Sequence, residues 1–362
     1  MDRRSFLKKA GLAGGTVAAS ALAAPALAQG KMELKMVTTW PKNFPGLGTA
    51  AQRAADRITA MTGGRITVKL FAAGELVPAF ESFDAVSTGT ADIYHGVDYY
   101  WQGKHKAFNF FGAVPLGLTA SELSAWINFG GGQELWDELS AQFNVKPMLC
   151  GNTGVQMGGW FNKEINTLED IKGLKMRIPG LGGEVIRRLG GTAVSLPGGE
   201  IFPALQSGAI DATEWVGPWN DLAFGFYKIT KYYYWPGFHE PGSGLSMGIN
   251  KGVWDKLSDE DKEIFKASGL AETELTYSEF NAKNGAALDT LVTKHGVNLK
   301  KFPDDVWTEI GKIADQVVKE SVDDDLGKRV LESYLKARKD VGGWARIGEQ
   351  AYLNAREKVL GL

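Results

Sequence analysis

The chain has 362 residues, 44% hydrophobic and 23% charged, with a formal net charge of -2. That is the composition of a soluble globular protein of about two domains, and the charge gives no electrostatic reason to expect a nucleic-acid partner. The single cysteine, Cys150, excludes an internal disulfide; it follows the apolar strand Lys146–Leu149 and is expected to be buried and inert.

The first residues read as an export leader. Arg3-Arg4 precede Phe6-Leu7, an apolar run extends from Ala10 to Leu27, and Ala26-Leu27-Ala28 has the small-x-small form of a cleavage site. Twin arginines favour the Tat route over the Sec route; a retained membrane anchor is the alternative. Loss of residues 1–28 removes Arg3, Arg4, Lys8 and Lys9 against Asp2, which takes the net charge from -2 to -5. No later apolar segment is long enough to span a bilayer, so the mature protein is expected free in the periplasm.

Glu33–Trp40 reads as a first strand, and Leu47, Ala51, Ala54, Ala55 and Ile58 give Leu47–Met61 helical spacing. Arg65–Phe71 alternates as a strand does. Gly74-Glu75-Leu76 turns into a helix ending near Ser87, and Ala91–His95 is a short strand. This β-α-β-α-β order argues for a sheet with helices on its faces. In the aromatic group that follows, Phe108, Phe110 and Phe111 read as core. Of Tyr99 and Tyr100, an alternating segment would aim one at a cleft and one at the core; the sequence does not choose.

Ala120–Leu139 is helical, weakened in the middle by Gly130-Gly131-Gly132. Val145–Leu149 is a strand, and an uncharged glycine-rich passage, GNTGVQMGGW, leads to another at Trp160-Phe161. Leu174–Ile178 is a strand with Arg177 inside it, followed by a helix at Gly182–Gly190 and a strand at Thr192–Leu196. GEIFPALQSGAIDATEWVGP then gives a helix, a Ser-Gly turn and a strand at Ala209–Thr213, with Glu214 and Trp215 at the strand's carboxyl end. In open α/β sheets that end faces the ligand crevice. Phe83, Ala85, Gly89 and Asp92 match Phe202, Ala204, Gly208 and Asp211 without a gap. Two copies of one unit imply two similar α/β lobes, and a cleft between them is the default ligand site. Leu245–Asn250 is expected to run back into the first lobe. Lys256–Leu362 is mostly helical, with a brief strand at Val297–Lys300. No low-complexity linker separates the lobes, so each is expected to be discontinuous in sequence.

Several chemistries fail on their residues. Gly180-Leu-Gly182-Gly183-Glu184-Val185 places Val185 where a dinucleotide fingerprint needs its third glycine. His95, His105, His239 and His295 form no paired metal motif, and there is no GxSxG. What remains is a binding constellation of Asn152, Gln156, Arg177, Glu214 and Trp215 at strand ends and glycine-rich turns. An arginine on a strand can hold a carboxylate through two parallel hydrogen bonds; pairing of Arg177 with Glu214 or a surface acid is the alternative. Glu214, Gln156 and a backbone carbonyl make an oxygen cage for a hard cation, and Gln156 as a surface turn residue is the bland reading. A cation between a buried glutamate and an anionic ligand turns repulsion into attraction.

GNTGVQMGGWF, INT…GLKMR, PALQSGAIDATEWVGP and KYYYWPGF together resemble the DctP-type substrate-binding proteins of TRAP (tripartite ATP-independent periplasmic) transporters, and within them the 2-oxo-acid receptor subgroup. The resemblance runs from the leader to the final helices. It implies a non-catalytic two-lobe periplasmic binding fold with strand and long-helix connections, a helical C-terminal extension and ligand in the interlobe cleft. The layout expected is residues 31–154 with 245–300 as lobe I, 155–244 as lobe II, and 301–362 as C-terminal helices packed on lobe II or exchanged in a homodimer. The resemblance implies an organic-acid ligand, delivery to membrane permease subunits, and a bound cation, sodium or calcium, with no organic cofactor. It assigns the ligand carboxylate to Arg177 and the cation to Gln156, the Glu214 side chain and the Trp215 backbone, with Glu240 as a weaker fourth. Tyr99, Tyr100 and Asn152 fit ligand-contacting positions. Pyruvate, longer 2-oxo acids and lactate present the same chelating oxygens and stay open. The rival classes are an exported cofactor-dependent oxidoreductase and a structural envelope protein.

Overall fold

The computed structural model describes residues 30–361; the leader expected in residues 1–28, with Arg3 and Arg4, lies outside them. Eleven strands build two sheets among the described residues. In chain order they are β1 (Met32–Thr38), β2 (Ile66–Phe71), β3 (Ile93–Gly96), β4 (Val145–Asn152), β5 (Gly159–Phe161), β6 (Lys175–Arg177), β7 (Thr192–Val194), β8 (Ala212–Thr213), β9 (Tyr232–Trp235), β10 (Gly244–Asn250) and β11 (Asn298–Lys301). The first sheet has the order β2-β1-β3-β10-β4, and the second β7-β6-β8-β5-β9-β11.

The two orders are the same pattern twice. β1 pairs in parallel with β2 and β3, as β6 does with β7 and β8. β10 then lies antiparallel to β3, as β5 does to β8. Each half of the chain therefore sends its fifth strand into the other sheet: β5 follows β4 across, and β10 follows β9 back. The expected return of Leu245–Asn250 to the first lobe is this second crossing. The four-residue sequence match has a structural basis. Gly89 and Gly208 both take positive φ, 84° and 72°. Asp92 Oδ2 accepts from the Lys35 backbone N–H at 2.7 Å and Asp211 Oδ2 from that of Lys175 at 3.0 Å. In both units the aspartate pins the helix-turn-strand connection to the neighbouring parallel strand.

Three expectations need correction. Ala120–Leu139 is two helices, Ala120–Phe129 and Gly132–Ala141, because Gly131 between them has φ 82°, a conformation a side chain resists. The KYYYWPGF segment holds the strand β9, whose pairing with β11 puts residues 298–301 in the second sheet and not in lobe I. The C-terminal helices pack on both lobes. Asp304–Lys319 lies on the helix Gly180–Arg188, whereas Asp325–Ile347 covers Ala120–Phe129 and Gly132–Ala141. There Tyr334 accepts the Leu118 N–H on its hydroxyl at 2.7 Å, which anchors the strap to the first lobe.

The 31-residue helix Asp259–Asp289 is capped by Ser258 Oγ, which accepts from the Asp261 N–H at 3.1 Å. It packs along β4 and against the helix Leu47–Met61, where Arg53 and Arg57 both hold the buried Glu272. Phe108, Phe110 and Phe111 are core, as the sequence reading has them. No described helix is long and apolar enough to cross a membrane.

Candidate functional site

β6 and β8 are parallel neighbours, with Arg177 opposite Thr213. Two adjacent strand ends therefore place Arg177 beside Glu214, and both are fully buried. Their side chains form an ion pair, and Arg177 Nη1 also donates to the Glu214 carbonyl at 3.3 Å. Arg177 Nε donates to the Leu196 carbonyl at 3.0 Å, and Nη2 reaches the Tyr100 hydroxyl only at 3.5 Å. The guanidinium lies 5.1 Å from the Trp215 ring centre. Burial opposes the Arg177 charge, but Glu214 together with Tyr100 and Tyr99 more than offsets it and the pKa is raised. The ion-pair alternative left open by the sequence is what this structure holds, with Nη2 the least engaged donor.

The other residues come from the two interlobe crossings. Residues 153–158 join β4 to β5, residues 236–243 join β9 to β10, and the two run antiparallel. Thr153 N–H donates to the Ser243 carbonyl, Gln156 N–H to that of Glu240, and Gly237 N–H to that of Gln156, each at 3.1 Å. This pairing brings side chains together across the crossings. Gln156 Nε2 donates to Glu240 Oε2 at 2.8 Å and to Thr153 Oγ1 at 3.1 Å. Gln156 Oε1 is buried and has no partner, so Gln156 is not a surface turn residue.

His239, on the second crossing, donates from Nε2 to Glu214 Oε2 at 3.1 Å. Glu214 thus has Arg177 on one oxygen and His239 on the other. Burial lowers the His239 pKa, but the hydrogen bond to Glu214 and its charge outweigh that and leave it raised. Burial pushes Glu240 up to about 7, and the Glu214 charge adds to the rise. Glu214, His239 and Glu240 each offer a ligand atom within 4.8 Å of the others. With the unpartnered Gln156 Oε1, this donor set fits a hard cation through its oxygens. The sequence reading dismissed His239 because it looked for paired histidines; its adjacency to Glu240 was the available signal.

Tyr99 and Tyr100 do not divide between cleft and core. Asp98–Trp101 is a 3₁₀ turn, where the strand period does not apply, and both rings line the same cavity. Burial pushes the Tyr100 phenol up to about 12, an effect Arg177 partly offsets. Trp215 lines the cavity too, edge-on to Trp40 at 6.2 Å, and its indole N–H is buried without a partner. Asn152 ends β4; its Oδ1 accepts from the Gly154 N–H at 2.9 Å, which leaves the amide nitrogen unpartnered. Trp40, Thr153 and Ser243, absent from the sequence-derived set, complete much of the lining. The cavity encloses about 10 Å³, room for about one water. Cys150 is buried, and burial pushes its thiol up.

Two α/β lobes joined by crossings, with a buried charged cluster at the strand ends between them, define a binding protein of the two-lobe solute-receptor class. The chain belongs to the bacterial extracellular solute-binding protein family 7 (DctP), whose profile matches residues 36–325. It is 42% identical over 321 residues, 88% of each chain, to the monocarboxylate 2-oxoacid-binding periplasmic protein of Nostoc sp.. A TRAP periplasmic solute-binding protein from Pseudoalteromonas atlantica, solved with bound sodium and pyruvate, is 38% identical with a TM-score of 0.87, covering 90% of this chain and 99% of that one. A TRAP solute-binding protein from Bordetella bronchiseptica, a dimer with copurified calcium and picolinate, is 34% identical with a TM-score of 0.89, covering 92% and 99%.

Proposed function

We propose that this chain is the periplasmic receptor of a TRAP transporter for 2-oxo monocarboxylates such as pyruvate, bound together with sodium or calcium and handed to the membrane permease. The observation that carries the reading is the buried cluster of Arg177, Glu214, His239 and Glu240, joined through Glu240 to Gln156, whose Oε1 has no partner. Neighbours that hold pyruvate with sodium and picolinate with calcium support it. Both ligands set a carboxylate next to a second donor atom, the arrangement that chelates one ion. Lactate shares that arrangement and is the alternative ligand. The matched family is one of receptors, and an exported oxidoreductase has no support from it; the absorption spectrum of the purified protein separates the two. Export through the twin-arginine leader goes with the periplasmic location.

Arg177 binds the ligand carboxylate from Nη2, beside the Tyr99 and Tyr100 rings and Asn152. Gln156, Glu214 and the Trp215 backbone hold the cation, with Glu240 as a fourth group and His239 orienting Glu214. The cation supplies the positive charge that lets an anion approach two buried carboxyl groups. The lobes must part to admit a ligand into so small a cavity and then close on it. Trp40 and Trp215 in the cavity wall make the test direct. Refolded mature protein titrated with pyruvate is expected to show a saturable tryptophan-fluorescence change that requires sodium or calcium. No response to pyruvate, lactate or longer 2-oxo acids would overturn the reading.

The reading extends to a homodimer. The last helix, Glu349–Leu360, buries none of its residues and leaves Tyr352, Val359 and Leu360 more than 60% exposed. A second copy of the chain is its proposed partner, and one neighbour is a dimer. Sedimentation is expected to give a dimer for the full chain and a monomer after truncation at residue 348; a monomeric full chain removes the proposal.

A further inference from the structure

Asp221 stands behind the cavity wall and holds the chain that forms it. It lies in the first turn of the helix Pro218–Phe224 and is 1% exposed. Its Oδ2 accepts from the Tyr233 hydroxyl at 2.6 Å and from the Trp160 indole N–H at 3.0 Å. Those two residues face each other across β5 and β9, with their rings stacked 4.0 Å apart, so the second sheet fixes the carboxylate. Oδ1 accepts from the Val216 backbone N–H at 3.3 Å. Three donors converge on one group, which suits the ionised, acceptor-only carboxylate. Burial pushes the carboxyl up to about 7, a rise that the three hydrogen bonds oppose.

The Val216 N–H shares a peptide group with the Trp215 carbonyl. That group is planar and trans, so tying the N–H to Asp221 aims the carbonyl the opposite way. Trp215 and Val216 line the cavity, and Asp221 does not. The Met157 N–H holds the same segment from the first crossing, donating to the Val216 carbonyl at 3.0 Å. The preceding carbonyl, of Glu214, is taken by the Thr213 hydroxyl at 2.8 Å and by Arg177 Nη1 at 3.3 Å. The Trp215 carbonyl accepts no hydrogen bond among the described residues. Hydrogen bonds in series polarise one another, so a carboxylate on the N–H makes the carbonyl oxygen a better donor to an ion. We infer that Asp221 is a positioning residue for the cation: through the Val216 N–H it orients and polarises the Trp215 carbonyl. The inference rests on the cation-binding reading above.

Trp215-Val216 is the sole Trp-Val pair in the chain. Mature protein labelled with carbonyl-13C tryptophan and 15N valine therefore gives one NMR correlation for this one peptide group. In the ion-free wild type the Val216 amide is expected to exchange slowly with solvent, and with pyruvate present calcium is expected to move the Trp215 carbonyl carbon. By calorimetry, Asp221→Asn is expected to bind calcium about 10- to 100-fold more weakly, the usual loss when a partner behind a metal ligand is removed. The asparagine oxygen stays with the two donors of Trp160 and Tyr233, which leaves its amide facing the Val216 N–H, donor to donor. Ile186→Ala is the control for stability alone, because Ile186 packs in the other core cluster of the second lobe. It is expected to lower urea-unfolding stability and keep the calcium affinity. A loss in Asp221→Asn no greater than in Ile186→Ala overturns the positioning role. So does a Trp215 carbonyl carbon that calcium leaves in place while it binds, or a Val216 amide that exchanges within the dead time; both are read on the wild type, whether or not the variant folds. No calcium binding to the wild type overturns the cation reading and this inference with it.

Discussion

Arg177→Ala is expected to weaken pyruvate binding by roughly thirty-fold to several-thousand-fold, the ~2–5 kcal/mol lost when one partner of a buried charge pair is truncated. The reason is the distribution of its donors. Nε is committed to Leu196 and Nη1 to Glu214, so Nη2, with only a 3.5 Å contact to Tyr100, is the donor free to meet a carboxylate. The same change leaves Glu214 buried with His239 alone. Breaking a buried pair costs about 3–5 kcal/mol of stability, reduced here by the remaining histidine contact. Arg177→Lys separates the two effects, because it keeps the charge but not the planar fork. It is expected to recover much of the urea-unfolding stability and little of the affinity. Calorimetry on either folded variant that returned wild-type affinity would remove Arg177 from the site.

Glu214→Gln carries the second large effect. Glutamine keeps the size of the side chain and a carbonyl oxygen for Arg177, while its amide group faces His239, whose Nε2 must then accept. It removes the charge that both repels an anionic ligand and attracts a cation. With calcium present, pyruvate affinity is expected to fall by roughly a hundredfold, about 3 kcal/mol on the scale of such buried charge pairs. What remains is expected to be the same with and without the ion. A variant that still bound pyruvate more tightly on adding calcium would show that the cation acts elsewhere.

The sequence made Arg177, Glu214 and Gln156 legible because strand ends and glycine-rich turns are local features. The arginine and glutamate meet through a parallel pairing of β6 with β8 that the βα order already implies. His239 was not legible, since its contact with Glu214 spans 25 positions and depends on where the second crossing runs. Tyr99 and Tyr100 were misjudged for a different reason: four residues of 3₁₀ geometry look like a strand in an aromatic run. The exchange of β5 and β10 between the sheets was legible only as a return of the chain. Strand partners are chosen by packing at long range, and two- or three-residue strands such as β8 and β5 carry little pattern of their own.

The placement of Gln156, His239 and Glu240 on the crossings, and not on either lobe's interior, has a mechanical meaning. On the proposed function these segments are the pivots about which the lobes turn, and an ion held there would grip the hinge itself as well as the jaws. On the proposed function, occupancy is then broadcast as the outline of the whole molecule. A membrane partner that distinguishes the open outline from the shut one learns that cargo is aboard without touching it. Selection of the anion and docking on the membrane can therefore be altered independently, the first in the cleft and the second on the outer face.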